Sequence, residues 1–167
     1  MTVREAILRA VPVFVAQSNR DDYTLRIKLE EAGIPRGLAA EIVEFAPLAV
    51  ARAMLDGMGI QFADYYIRQN SQGRVIGQKA LNDEPVYREG LAIADELVRM
   101  GKDTFMAVAS WSHEYQQINI AMNSGSRPGD LHCQPPVMIA NNDDRRDFDD
   151  TSAGVQQKDK NWWQFWK

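Results

Sequence analysis

Few side chains in this sequence could support catalysis, because it contains two histidines, His113 and His132, and a single cysteine, Cys133. His113 lies in the triplet Ser112-His113-Glu114, whose residue types could supply a nucleophile and a base. Neighbouring residues of a helix point about 100° apart, so these side chains cannot act on one another. His132 and Cys133 are adjacent in extended chain, where neighbours point to opposite faces. Only a long-range pairing of His113 with Cys133 would remain for such chemistry.

The patterns that hold metal ions and nucleotides are equally weak. Neither histidine stands in an H-E-x-x-H spacing, and there is no C-x-x-C pair. The acidic run NNDDRRDFDD offers oxygen donors, but Arg145 and Arg146 stand where calcium ligands would be needed, so we interpret the run as solvated chain. GMGIQFAD lacks the third glycine and the preceding strand of a dinucleotide-binding turn. The sequence therefore predicts no metal site and no cofactor.

A set of charged residues on helical segments could line a pocket. Glu41 and Glu44 lie on an alanine-rich apolar helix that also carries Arg52, and polar groups on such a helix either line a pocket or rim a buried stripe. If they line one, we expect Glu41 and Glu44 to meet His113 and Glu114 in a pocket between helices. In the second interpretation these side chains are solvated.

Composition narrows the classes of partner. The net charge of -4 and the pI near 5.2 argue against nucleic-acid binding, which depends on clustered Lys and Arg. No apolar run approaches the roughly 20 residues of a membrane span. Glu5 and Arg9 interrupt the apolar N-terminal segment, so it predicts an ordinary helix and not a secretion signal. A single cysteine fits a reducing compartment, and we expect a cytoplasmic protein of bacterial type.

The sequence NWWQFWK contains the most distinctive candidate for binding. Its aromatic residues follow a polar stretch and could together bury several hundred Å². They are Trp162, Trp163, Phe165 and Trp166. They could dock on the same chain, or they could insert into a protein partner or a second copy. Contact with a membrane surface is disfavoured, because the nearby charges provide no attraction to anionic lipid.

Apolar periodicity predicts a mainly α fold, a compact bundle of about five helices. The first predicted helix is 3–17, the second starts within SNRDD and runs to about 32, and the third lies within the stretch 34–59. The fourth starts at a cap at 82 or 83 and ends before Gly101, and the fifth runs from about 104 to 123. Asn19 or Asp21 is the candidate N-cap of the second, and Gly33 can end it. The alanines of the third keep it thin, which predicts a central position, and Pro47 should kink or divide it. Pro12 should bend or break the first helix.

Between residues 60 and 81 the helical period fades. Aromatic and β-branched residues flank the turn-forming NSQG, which favours a small β-hairpin, although the first arm could also extend a helix. After Gly125, prolines and glycines predict an extended C-terminal arm. The sequence thus divides into a helical domain at 1–140, a polar linker at 141–160 and an aromatic C-terminal anchor at 161–167.

These observations favour a protein that binds another protein over an enzyme. Small size, acidity and weak catalytic signatures fit an adaptor or an immunity-type protein, which would use a helical surface, that of the central alanine-rich helix, and the aromatic C-terminus. The alternative is a small-ligand-binding protein or an enzyme with a pocket that involves His113 and Glu114.

Overall fold

A computed structural model describes residues 1–139, which form six α-helices and three β-strands. The helices are α1 (Val3–Ala16), α2 (Asp22–Glu31), α3 (Arg36–Asp56), α4 (Pro85–Met100), α5 (Lys102–Ala109) and α6 (His113–Asn123). The strands are β1 (Tyr65–Gln69), β2 (Val75–Ala80) and β3 (Val137–Ile139), and short 3-10 turns cover Leu81–Asp83 and Pro128–Asp130. The predicted mainly helical class is confirmed, but the sheet means that the chain is not all α.

The described residues divide into two compact units. The first comprises Met1–Phe62 and Asn82–Cys133 and contains all six described helices. The second comprises Ala63–Leu81 and, within the described range, residues 134–139, and it contains the sheet. Residues 140–167 lie outside the described part of the chain, and with them the predicted linker and aromatic anchor.

Side-chain caps set the start of several helices. Thr2 and Glu5 form a reciprocal capping box at α1, in which the Thr2 hydroxyl accepts from the Glu5 amide and the Glu5 carboxylate accepts from the Thr2 amide. The Asp21 carboxylate accepts from the Thr24 amide at 3.1 Å, which confirms Asp21 as the N-cap of α2. Gly33 follows α2 with a φ of +84°, a left-handed conformation that glycine adopts without steric cost.

Helix α3 lies at the centre of the helical unit, as the sequence predicts. It packs against α1, α2, α4, α5 and α6, and most of its second half is buried. It approaches α4 closely, because a Cβ added to Gly90 would lie 2.7 Å from the Cβ of Ala49. Small residues on both helices therefore allow their backbones to come together.

The two helical prolines do not interrupt their helices. Pro12 lies within α1, and Pro47 lies buried within α3. The expectation that Pro47 divides its helix in two, or that Pro12 breaks one, is therefore wrong. A proline removes one backbone hydrogen bond, and buried apolar residues on either side of Pro47 hold α3 in place despite that loss.

The predicted helix at 104–123 is instead two helices, α5 and α6, separated at Ser110–Ser112. The Ser110 hydroxyl donates to the Ala107 carbonyl at 3.1 Å, and the Ser112 hydroxyl accepts from the Tyr115 amide at 3.4 Å. Serine hydroxyl groups that form hydrogen bonds with the nearby backbone in this way compete with the backbone hydrogen bonds of a continuous helix. Trp111, between them, packs edge to face on Phe14 of α1 with ring centroids 5.9 Å apart. Periodicity alone did not reveal this break.

The sheet has the order β2-β1-β3. β1 and β2 pair antiparallel, which confirms the predicted hairpin. Its turn is closed by Asn70, whose side-chain oxygen accepts from the amides of Gln72 at 3.0 Å and Arg74 at 2.9 Å. β3 pairs parallel to β1, with Ile67 opposite Val137. The extended arm predicted after Gly125 thus includes a sheet strand, a pairing that the sequence pattern did not reveal.

Among the described residues, none of the helices has both the length and the apolar character needed to cross a membrane.

Replacement of Gly90 by alanine tests the close contact of α3 and α4. Alanine favours helices more than glycine does, but here its methyl group would overlap Ala49. We expect Gly90→Ala to lower the free energy of unfolding by about 1–3 kcal/mol, measured by denaturant titration.

Gly37→Ala is the matched control, because a Cβ at Gly37 in α3 meets no atom within 4 Å. This variant should be unchanged or more stable by up to about 1 kcal/mol. Equal effects of the two substitutions would contradict the close approach.

Candidate functional site

The four residues predicted to line a pocket do not share one environment. Glu41 and Glu44 lie at exposed positions of α3, and His113 is exposed at the start of α6. The His113 ring nitrogen Nε2 forms a hydrogen bond with the Gln117 side chain at 2.9 Å, one turn along the same helix. Glu114, by contrast, is 8% exposed. The structure therefore places one of the four inside the helical unit and the other three on its surface.

The other predicted binding residues lie in the aromatic C-terminus. Trp162, Trp163, Phe165 and Trp166 are outside the described residues.

The turn between α5 and α6 directs Glu114 inward. Ser112, which is buried, caps the first turn of α6, so that the helix begins at His113. Because adjacent residues of a helix point about 100° apart, an exposed His113 is compatible with a buried Glu114. α6 packs on α3, and within α6 the buried residues are Glu114 and Ile118, one turn apart. An acid thus occupies a position where a helix of this kind usually carries an apolar residue.

Glu114 faces Arg52 of α3. The Arg52 Nε atom lies 4.0 Å from Glu114 Oε2, and Arg52 is 6% exposed. Arg52 Nη1 donates to the Tyr87 hydroxyl of α4 at 3.2 Å, and the guanidinium carbon lies 4.5 Å from the ring centroid of Phe62. Hydrogen bonding and a cation-π contact thus stabilise the buried cation. The Arg52–Glu114 pair is the candidate functional site.

The glutamate is less well accommodated than the arginine. Within the described part of the chain, no group forms a hydrogen bond with either oxygen of the Glu114 carboxyl group, and 4.0 Å to Arg52 is too long for one. Burial raises the pKa of Glu114 to about 7, although the charge of Arg52 acts in the opposite direction. Desolvation therefore outweighs the ion pair, as is common for buried pairs without good hydrogen-bond geometry. The carboxyl group exchanges its proton near neutral pH.

Cys133 borders the same region. It is buried with Leu55, Ile60 and Ile118, which form a small apolar cluster against which Phe62 and Met122 also pack. Burial, and then the charge of Glu114, raise the pKa of the Cys133 thiol to about 11, while Arg52 lowers it. A thiol with such a pKa is almost fully protonated at neutral pH, so it is not an activated nucleophile.

The chemistry that this arrangement permits is limited. A carboxyl group with a pKa near 7 can act as a general acid or base if a substrate reaches it. Arg52 can attract an anion. Among residues 1–139, no three His, Cys, Asp or Glu side chains lie close enough together to hold a metal ion.

The sequence indicated part of this site. Arg52 stood out as a cation on an apolar helix, and Glu114 belonged to the predicted pocket set. Their pairing was not predicted, because the break before α6 sets which face of the helix Glu114 occupies. Tyr87 and Phe62 carried no signal of a role beside Arg52, since an aromatic residue in an apolar segment usually marks the core.

Comparisons of the chain with protein-family models, with curated proteins and with solved structures found no match.

The Glu114→Gln variant tests the state of the buried acid. The pKa of Glu114 is higher in the folded state than its ordinary value of 4.5, so its stabilising effect is complete below pH 4.5 and is lost as the pH rises through about 7. Between about pH 5 and pH 8 this should cost roughly 2–3 kcal/mol of unfolding free energy relative to Glu114→Gln. Urea titrations across that range measure the difference.

The control is Glu31→Gln, which neutralises an exposed glutamate at the end of α2. Its stability should follow the wild-type curve across the pH range. Parallel curves for wild type and Glu114→Gln would show that the Glu114 carboxyl group is not desolvated.

Proposed function

We propose that this chain binds another protein, as an adaptor or an immunity-type protein does, through apolar side chains exposed on its helices and through the aromatic C-terminus. The observation that carries the proposal is the outer surface of α2. Tyr23 is 63% exposed and Ile27 is 37% exposed, and the two lie one helical turn apart. We name this surface the α2 face, formed by Tyr23, Arg26 and Ile27.

The α2 face has the residue types that dominate protein interfaces. Tyrosine and arginine are enriched among the residues that contribute most to binding, and a neighbouring aliphatic residue excludes water from them. The Arg26 guanidinium carbon lies 5.4 Å from the centroid of the Tyr23 ring, which restrains the ring before any partner arrives. On the opposite side, Leu25 and Leu29 are fully buried, so the helix is anchored and presents this face on a fixed backbone.

Charge favours a basic partner. The chain carries a net charge of -4, and the acidic residues Asp21 and Asp22 immediately precede Tyr23. Hydrogen bonds from the Thr24 hydroxyl and amide lower the pKa of Asp21, so this carboxylate stays ionised next to the α2 face. Negative charge at the edge of an apolar contact accelerates the approach of a cationic surface and rejects anionic ones.

A ligand-binding protein or enzyme with a site between helices is the second candidate. The observation that favours it is the buried Glu114, whose pKa of about 7 suits proton transfer. The exposure of Glu41, Glu44 and His113 gives it less support, because these side chains would have to converge with Glu114 on a substrate. The two functions are separable, because a substitution in the α2 face should weaken partner binding and should leave any enzymatic activity that depends on Glu114 unchanged.

Site-specific photo-crosslinking tests the α2 face. A photoreactive phenylalanine analogue at position 23, introduced in the native host, should give one dominant adduct with a basic protein, identified by mass spectrometry. The same analogue at Arg74, in the exposed turn of the hairpin, should not. Equal adducts from the two positions would argue against the proposal.

Binding measurements with the purified partner then show how much the α2 face contributes to affinity. Tyr23→Ala should raise Kd by about tenfold or more, because a central interfacial tyrosine is lost. Ile27→Ala should also weaken binding, whereas Ile120→Ala is the matched control, since Ile120 is an exposed isoleucine on α6. Equal effects of the two isoleucine substitutions would contradict the proposed surface.

Replacement of Trp162, Trp163, Phe165 and Trp166 by serine tests the aromatic terminus and preserves chain length and charge. If this segment inserts into a partner or a second copy, light scattering should show loss of the complex or dissociation to a monomer. An unchanged mass with a lower Tm would indicate docking on the same chain. No change in mass, Tm or partner binding would contradict any binding role.

A further inference from the structure

The attachment of α6 to the helical unit depends on an ionisable residue. Its two buried residues are Ile118, in the apolar cluster, and Glu114, opposite Arg52. Met122 adds a half-buried contact to the same cluster. α5, by comparison, packs against α1, α3 and α4. One of the two buried residues that attach α6 is therefore an acid, whereas the buried residues of α5 are all apolar.

Both ends of α6 can serve as hinges. Ser110–Ser112 separates α6 from α5, and Gly125 follows α6 with a φ of +99°. Along its outer side, His113, Gln117 and Ile120 are exposed. Elements with few buried apolar contacts and irregular chain at both ends are those that open locally without global unfolding.

We propose that α6 is a pH-sensitive latch, in which loss of the proton from the buried Glu114 carboxyl group loosens α6 from α3 and uncovers the cluster of Leu55, Ile60, Ile118 and Cys133. The closed form holds a neutral carboxyl group in a place where it forms no hydrogen bond within the described residues. An ionised carboxylate there lacks the hydrogen bonds that water supplies after opening. The latch is thus closed at mildly acidic pH and opens more often as the pH rises.

The charged and titratable groups around Glu114 are consistent with this direction. Arg52 of α3 faces Glu114 at 4.0 Å, and it is engaged with Tyr87 of α4 and with the Phe62 ring. The Cys133 thiol lies in the following segment and is disfavoured as an anion by the Glu114 charge. On α6 itself the neighbouring His113 ring is exposed and bonded to Gln117. Arg52 therefore supplies the one cationic contact described for Glu114, and it does not offset the burial.

Cys133 provides a direct readout, because it is buried in the closed form and is the single cysteine of the chain. The rate of its reaction with a thiol reagent is measured in the folded protein and divided, at each pH, by the rate in the denatured chain. This division removes the ordinary effect of pH on the thiolate. For a carboxyl group whose pKa falls from about 7 to 4.5 on opening, the normalised rate should rise about 30-fold from about pH 5.5 to about pH 8.

Glu114→Gln should show a normalised rate that is nearly constant over the same range, since its side chain does not ionise. Amide hydrogen exchange distinguishes local from global opening. In the wild type, protection in α6 should fall as the pH rises, and at every pH it should be lower than protection at Ile93 and Leu97 in the buried core of α4.

A flat normalised rate in the wild type would overturn the proposal without any variant. So would the same pH dependence in Glu114→Gln, or equal levels of protection in α6 and in the core of α4, which would mean that α6 opens only when the whole unit unfolds. None of these measurements involves the α2 face or a partner, so their outcome is independent of the proposed binding function.

Discussion

A helix that is contacted from several directions must be thin, and this constraint on α3 organises the helical unit. Ala46 and Ala49 present little more than backbone to α4, and Gly90 completes the close contact from the other side. Other helices cover most of the second half of α3, so a charged residue in that half is buried with it. Arg52 is the charged residue of α3 that is buried as a result, and the elements around it must provide its partners.

The burial of Arg52 explains the most unusual features of the site. Its guanidinium group donates to the Tyr87 hydroxyl and lies over the face of Phe62, whereas the nearest Glu114 oxygen is 4.0 Å from its Nε atom. Arg52 therefore has a hydrogen bond and an aromatic contact, whereas neither carboxyl oxygen of Glu114 accepts a hydrogen bond within residues 1–139. Burial raises the pKa of the Glu114 carboxyl group to about 7, and burial together with the Glu114 charge raises the pKa of the neighbouring Cys133 thiol to about 11. A buried pair of this kind adds little net stability to the packing of α6 on α3.

The sequence predicted well those features that depend on interactions between residues close together in the chain. Asn19 and Asp21 were the two candidate caps for the start of α2, of which Asp21 is the cap, and Gly33 marked its end. NSQG marked the hairpin turn, and the alanines of α3 indicated its central position. Features that depend on distant residues were not predictable. The pairing of β3 with β1 needs a strand far along the chain, and three apolar residues after a proline pair could equally lie as loose extended chain. The break at Ser110–Ser112 depends on hydroxyl bonds and on the docking of Trp111, and periodicity registers neither.

The parallel pairing of β1 with β3 bears on the order in which the molecule is built. The two strands are separated in the chain by β2 and by α4, α5 and α6. On the ribosome the hairpin can form early from neighbouring residues, but its third strand is synthesised only after three helices have emerged. Until then one edge of β1 has unpaired backbone groups, a state in which a nascent chain attracts other strands.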